Sequence, residues 1–403
     1  MESLPENRRK VLILAANVGS GHMRAAQAVA RALSEISPPT EVKVEDILER
    51  GYPLYCFLYR SAYLFLARRF PRLLDRLYKW SDPLPRWLSL ILLRIDRMAF
   101  CEILREIDAD PPDLVLCTHF LPLEILSPAR ATGEVRWPLW GVVTDLYPHG
   151  VWFWAGVDHY FVAERSSRER LRQPVPNMEL SISASGIPVD PSFAVRPHRG
   201  DLLEQMGLPD RKTVLLLSGG EGLDDLVSIL ESFVGFPIAL TLIAIAGKNG
   251  RLFRECRRWA DLQESRRLTV RVHGFVQNMP TMMGVADLVV TKPGGLTLFE
   301  ALALGKPLVL LPARGGQEGL NRRWAVEVGA ATACDRPRKA GSIVRALFED
   351  PDRLSGMASA SARAGRPGAA TLIARDVVCR LSHDALSEGG SHGDSPLPVG
   401  LHF

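Results

Sequence analysis

The chain has 403 residues, 23% of them charged, and a formal net charge of +4 at neutral pH. That length is more than one hydrophobic core usually serves, so two domains are expected. The near-balanced charge, without an RNP-like motif, zinc finger or long basic tract, excludes a nucleic-acid binder. The six cysteines (Cys56, Cys101, Cys117, Cys256, Cys334 and Cys379) are scattered with no CxxC pair, which fits reduced thiols in a cytosolic protein better than a disulfide framework or a zinc site. Arginine interrupts every window that might span a bilayer, and MESLPENRRK leads straight into a strand with no signal peptide, so a soluble or peripherally bound protein is expected.

Lys10 to Ala16 reads as a buried parallel strand. It is followed by the loop Asn17-Val18-Gly19-Ser20-Gly21-His22 and an Ala-rich helix from about Met23 to Ser34, the first βα unit of a Rossmann-like sheet. The glycines do not make a dinucleotide fingerprint. The informative residue is His22, where the loop becomes a helix. The positive helix end there can hold an imidazole neutral and ready to take a proton, although a capping or core histidine is the plainer alternative. Glu41 to Asp46 alternates like a second strand. From Tyr52 to Phe100, bulky apolar residues interleave with Arg60, Arg68, Arg69, Arg72, Arg76, Lys79, Arg86, Arg94 and Arg97, opposed only by Asp75, Asp82 and Asp96. Such helices suit the interface of an anionic membrane, or else pack on the domain with their arginines solvated.

Asp113 to Thr118 and Pro138 to Thr144 are further buried strands, ending in His119 and Asp145. Ligands in open α/β sheets sit at the carboxyl ends of strands, so His22, His119 and Asp145 should converge on one cleft. The aromatic loop with Tyr147, His149, Trp152 and Trp154 either lines an acceptor channel or covers the sheet edge. VRPHRGD near residues 194–200 reads as a linker.

A second alternation of strands and helices then begins. Thr213 to Leu217 ends in Ser218-Gly219-Gly220-Glu221-Gly222, a glycine loop facing the cleft; Ile238 to Ala246 ends in Gly247. Leu268 to His273 ends in Gly274-Phe275-Val276, whose backbone suits the edge of a base. The segment VVTKPGGLTLFEALALGKPLVLLPARGGQEGLN, from Val289 to Asn321, is a strand, a Pro293-Gly294-Gly295 turn, a helix from about Leu296, a short strand and a Gly-rich polar loop. Unpaired backbone N–H groups at a glycine-rich helix start suit a diphosphate, and Glu300, one turn on, suits the two hydroxyls of a ribose. A helix from about Pro351 to Ser382 closes the fold, and the Gly/Ser/Pro-rich tail reads as disordered.

Two Rossmann-like halves facing a cleft make a GT-B α/β architecture, with residues 1–195 as the acceptor and membrane-binding domain, 196–383 as the donor domain with its last helix crossing back, and 384–403 as tail. The pieces GSGHMRAA, CTHFLP, VVTDLYPHGVWFWAGVDHYFVAE, SGIPVDPSF, GFVQNMPTMMGVADLVVTKPGGLTLFEALALGKPLVLL and GGQEGLN, in that order, resemble the monogalactosyldiacylglycerol synthases and processive diacylglycerol glucosyltransferases of glycosyltransferase family 28. The peptidoglycan-type lipid-linked N-acetylglucosaminyltransferases are more distant relatives. The resemblance implies inverting transfer of glucose or galactose from a UDP-sugar to a diacylglycerol-type hydroxyl, without metal or other cofactor, by a cytoplasmic enzyme peripheral on the inner face of the cell membrane. It implies His22 as base, with Asp145 as the alternative or as the carboxylate orienting a histidine, and Gly21, His119, His149 and Trp152 on the acceptor side. Gly219, Gly220, Gly274, Phe275 and Val276 would hold the nucleotide, and Lys292, Gly294, Gly295, Leu296 and Thr297 the diphosphate. Glu300 would take the ribose, and Gln317, Glu318 and Asn321 the sugar. Relatives commonly carry Pro-Gly-Gln-Glu where this chain has Gly315-Gly316-Gln317-Glu318, which leaves the donor sugar open. A UDP-sugar epimerase shares the architecture but needs no lipid site, and a noncatalytic nucleotide-binding module needs no base.

Overall fold

The computed structural model describes residues 9–18, 20–69, 86–172, 181–219, 225–263, 265–313 and 316–388. The expectations for Gly220, for residues 70–85 of the arginine–aromatic stretch and for the tail beyond 388 fall outside that set. Two six-stranded parallel sheets carry the chain. The first runs β2-β1-β3-β4-β5-β6, with β1 Lys10–Ala15, β2 Glu41–Asp46, β3 Leu114–Cys117, β4 Leu139–Val142, β5 His159–Val162 and β6 Ile182–Ala184. The second runs β12-β11-β10-β7-β8-β9, with β7 Lys212–Leu217, β8 Leu240–Ile245, β9 Leu268–His273, β10 Leu288–Thr291, β11 Leu308–Leu310 and β12 Ala331–Ala333. Every residue of β3, β4, β8 and β10 is buried, so both faces of each sheet must be covered, and the connections between strands supply the helices that cover them.

Eight helices bear on the site: α1 Ser20–Ile36, α2 Pro53–Arg69, α3 Arg86–Ala99, α4 Phe120–Ala131, α5 Gly295–Ala303, α6 Gly316–Glu327, α7 Pro351–Ala364 and α8 Ala369–Glu388. Strand order reverses between β1 and β3 in the first sheet and between β7 and β10 in the second. At such switch points the loops after the two strands diverge and leave a crevice at their carboxyl ends. His22 and His119 follow the first pair; Gly219 and the Pro293-Gly294-Gly295 turn follow the second. One apolar core joins the halves: Leu146, Ala163, Ile187, Val189 and Phe193 pack with Phe299, Leu302 and Trp324. The last helix returns to the first half, where Ala370, Ile373, Ala374 and Val377 pack with Ala26, Val29 and Leu33 of α1.

Three boundaries differ from the sequence reading. Helix α1 begins at Ser20, which puts His22 inside its first turn. The polar segment after Gly315 is helical from Gly316, so Gln317, Glu318 and Asn321 lie on the first turns of α6 rather than in a loop. Glu318 at the positive end and buried Trp324 and Ala325 offset its glycines. The closing helix is broken between Gly365 and Gly368, because Pro367 disfavours helical geometry at Arg366.

Gly365 marks the tightest point of that crossing: a Cβ there would sit 2.3 Å from the Leu302 carbonyl oxygen in α5. Gly365→Ala is therefore expected to destabilise the fold by about 1–3 kcal/mol through backbone displacement. Thermal unfolding of the variant checks this, and an unchanged midpoint would refute it.

Candidate active site

His22 is held from one side only. Its Nδ1 lies 3.1 Å from the Thr118 carbonyl oxygen and 2.7 Å from Thr144 Oγ1, while Thr118 Oγ1 donates to the His22 carbonyl at 3.0 Å. A carbonyl can only accept, whereas a hydroxyl can rotate. Nδ1 therefore carries the proton and donates to Thr118, which leaves the Nε2 lone pair free to act as a base. Burial lowers the pKa of the ring against the pull of Asp145 and of the Thr118 hydrogen bond, so the imidazole is neutral near pH 7.

Asp145 does not orient that ring through a hydrogen bond; Thr118 and Thr144 hold its Nδ1. The Asp145 carboxylate accepts instead from Trp152 Nε1 at 2.9 Å, and burial raises its pKa against His22, Trp152 and His149. The other expected acceptor-side residues shape the wall. His119 Nδ1 accepts from the Leu121 N–H at 3.0 Å and caps α4, with its ring edge-on to His22 at 4.5 Å. His149 Nδ1 accepts from the Val151 N–H at 3.3 Å. Trp152 is fully buried, and a Cβ at Gly21 would meet nothing within 4 Å.

Across the cleft, Gly295, Leu296 and Thr297 form the first turn of α5, which no side chain caps. The Gly294 N–H is not part of that cradle, because it donates to the Lys292 carbonyl at 2.9 Å inside the turn. A Cβ at Gly295 would lie 3.8 Å from the Thr144 carbonyl oxygen, so the helix start and the His22 support face each other across the cleft about one methyl group apart. Lys292 Nζ pairs with Glu318 Oε1 at 2.9 Å, and its chain runs beneath Gly219. At φ +74°, with Lys292 Cε 3.1 Å from any Cβ, that position suits glycine. Asn321 is buried; its Nδ2 donates to the Pro293 carbonyl at 3.1 Å, and its Oδ1 lacks a partner. Gln317 Nε2 donates to the Tyr147 carbonyl, a further link between the halves.

Beside the cradle lies a pocket of about 400 Å³ lined by Gly219, Gly247, Phe275, Val276, Leu296, Thr297 and Glu300 from the second half and by Arg24, Gln27 and Arg31 from α1. A Cβ at Gly274, at its edge, would approach the Gly247 carbonyl oxygen at 3.7 Å. Lys248 sits over the half-exposed Phe275 ring. Glu300 is buried; Arg24 Nη2 donates to its Oε1 at 2.5 Å, and its Oε2 has no partner. Burial pushes its carboxyl up to about 7 despite Arg24. Among the described residues, no group of three or more His, Cys, Asp or Glu is placed to hold a metal ion.

The described parts of the amphipathic pair expose bulky apolar side chains. On α2, Tyr55, Cys56 and Tyr59 pack inward while Leu54, Phe57, Leu58 and Phe65 are exposed; on α3, Ile91, Leu92, Ile95 and Met98 are exposed. Arg60 pairs inward with Asp46 at 2.8 Å. Arg94 of α3 is exposed among these apolar residues, so the outward face carries both kinds of side chain. Among the described residues, no helix is long and apolar enough to cross a membrane.

Residues 22–189 match the family model of monogalactosyldiacylglycerol (MGDG) synthase, and residues 213–371 match the glycosyltransferase family 28 C-terminal domain. A processive diacylglycerol beta-glucosyltransferase of Bacillus pumilus is 27% identical over 361 residues, covering 87% of this chain and 89% of the relative. The chain belongs to this glycosyltransferase family. Among solved structures, Acinetobacter baumannii MurG superposes over 91% of this chain and 98% of its own with a TM-score of 0.56 at 16% identity. A UDP-GlcNAc 2-epimerase from Neisseria meningitidis bound to UDP-GlcNAc does so over 92% and 99%, with a TM-score of 0.56 at 15% identity. These likenesses show the GT-B fold and no more. Sequence reasoning about this glycosyltransferase missed Thr118, Thr144, Arg24 and Gln27. The threonines end their strands, which was a usable signal; the helix residues gave none.

Followed by NMR, the His22 ring of the unliganded glycosyltransferase is expected to titrate below the ordinary 6.5. A midpoint above that value would mean that Asp145 outweighs burial.

Proposed function

We propose that this enzyme transfers glucose or galactose from a UDP-sugar to a diacylglycerol-type lipid hydroxyl, with inversion, at a membrane surface. The reading rests on one observation: a half-buried neutral imidazole with a free Nε2 is supported by Thr144, whose carbonyl lies near the uncapped start of α5. A base and a leaving-group cradle thus share one cleft. The names of relatives support the acceptor class and differ on the sugar, since the family model is called an MGDG synthase and the curated relative a glucosyltransferase. The exposed apolar stripes of α2 and α3 give the enzyme a face for the bilayer surface from which the acceptor comes.

In this reading the acceptor hydroxyl gives its proton to His22 Nε2 while its oxygen attacks the anomeric carbon from the side opposite UDP. The bond from that carbon to the β-phosphate oxygen breaks, and its electron pair leaves with UDP. The N–H groups of Gly295, Leu296 and Thr297, with the α5 dipole, take up the charge that develops. Glu300 accepts from both ribose hydroxyls, which satisfies its idle Oε2. Gly274, Phe275 and Val276 hold the base, with Gly219 beside the nucleotide. Asn321, Gln317 and Glu318 address the sugar. No metal or other cofactor is assigned, because main-chain donors already serve the leaving group.

Incubation with UDP-glucose or UDP-galactose and diacylglycerol vesicles is expected to release UDP and yield a glycolipid of inverted anomeric configuration, read by mass spectrometry and NMR. Sugar interconversion without lipid would instead favour the epimerase that shares the fold. His22→Ala is expected to keep UDP binding and lose turnover by about 10²–10⁴-fold; near-normal turnover would move the base to Asp145.

A second test uses uridine, which carries no phosphate to titrate. Because Glu300 titrates near 7 and must be ionised to accept twice, uridine affinity should rise about tenfold from pH 6 to pH 8. Glu300→Gln should bind uridine weakly and independently of pH. A pH-independent wild type would remove Glu300 from the ribose role.

A further inference from the structure

Helix α1 belongs to the acceptor half, yet it forms one wall of the nucleotide pocket. Arg24, Gln27 and Arg31 recur at the spacing of a single helical face, and all three line the cavity. The two arginines are held differently. Arg31 is paired with Glu35 and Asp190, both at 3.0 Å, on the exposed side. Arg24 reaches across the cleft to Glu300, whose side chain is 2% exposed while Arg24 is 37% exposed. Its partner is therefore the carboxylate that the ribose hydroxyls would claim, and that carboxylate keeps a second oxygen with no partner in the same pocket. The cation first expected to meet the diphosphate, Lys292, is matched by Glu318 instead.

We infer that Arg24 is a switchable cation of the donor site, holding Glu300 while the pocket is empty and turning to the diphosphate once the ribose has taken Glu300. The inference rests on the UDP-sugar reading above and extends it. Glu300 lies three residues beyond Thr297, about 4.5 Å along the helix axis at 1.5 Å per residue, a shift within the swing of an arginine side chain. There the guanidinium meets the charge left on the β-phosphate oxygen as the glycosidic C–O bond breaks, and the acceptor hydroxyl's proton passes to His22. Arginine suits this task, because its fork engages two phosphate oxygens at once. Leaving-group stabilisation would then come from across the cleft.

The test compares UDP with uridine at pH 8, by calorimetry, on the full-length wild type, Arg24→Gln and Arg24→Lys. Wild type is expected to bind UDP more tightly than uridine. Arg24→Gln should lose about ten- to a hundredfold in UDP affinity, the scale of a hydrogen bond to a charged group. Its uridine affinity should fall much less than its UDP affinity, since losing the competitor for Glu300 offsets the higher carboxyl pKa that loss of the Arg24 charge brings, and Arg24→Lys should recover part of the UDP loss. A merely structural strut predicts equal losses for both ligands. Equal losses, or a Gln variant that discriminates UDP from uridine as well as wild type does, overturns the inference alone. A wild type that binds no UDP overturns the donor reading and the inference together.

Discussion

The site exists because two parallel sheets each reverse their strand order once, and the two reversals face each other. Between β1 and β3, and between β7 and β10, neighbouring strands send their chains away in opposite directions and leave their carboxyl ends open. The imidazole and the helix-start donors sit on the few residues that follow those strands: His22 and Thr118 on one side, Gly219 and Gly295 to Thr297 on the other. The facing is maintained by burial rather than by the polar groups themselves. Leu146 and Ala163 share a core with Phe299 and Trp324, so residues next to Asp145 and Glu300 are fixed by packing. A few exposed ion pairs could not hold two domains in register at that accuracy.

Much of this was legible in the sequence, and the reason is the same burial. A parallel strand covered on both faces must be apolar throughout, so β1, β3, β8 and β10 announce themselves as runs, and the glycines after β1, β8 and β10 mark where backbone N–H groups can be exposed. What sequence could not give depends on partners far away along the chain. Whether a histidine caps a helix depends on where the N–H two residues later points, and His119 and His149 proved to be caps while His22 did not. Arg24 is an ordinary helical residue until Glu300, 276 positions away, is placed against it. The start of α6 was hidden by glycines whose low propensity is overridden by buried Trp324 and Ala325.

The electrostatics of the empty cleft follow one rule: burial discourages every isolated charge. His22 and His119 are pushed towards the neutral form from below, Asp145 and Glu300 from above, and Lys292 is cancelled by Glu318. The rule continues beneath α2 and α3, where Asp96 accepts from the Tyr55 hydroxyl and Glu124 is pushed up to about 8 by burial and by Asp96. In the proposed donor site the same restraint means that a diphosphate would itself bring the largest charge into the cleft. It would meet oriented main-chain dipoles, which have no counterion to shed and need no reorganisation when the charge grows. Neutral surroundings also strengthen each of those dipoles by excluding competing water and ions. In that proposal the cost falls on Glu300, which would have to ionise in a buried place, and the Arg24 guanidinium beside it lowers that cost.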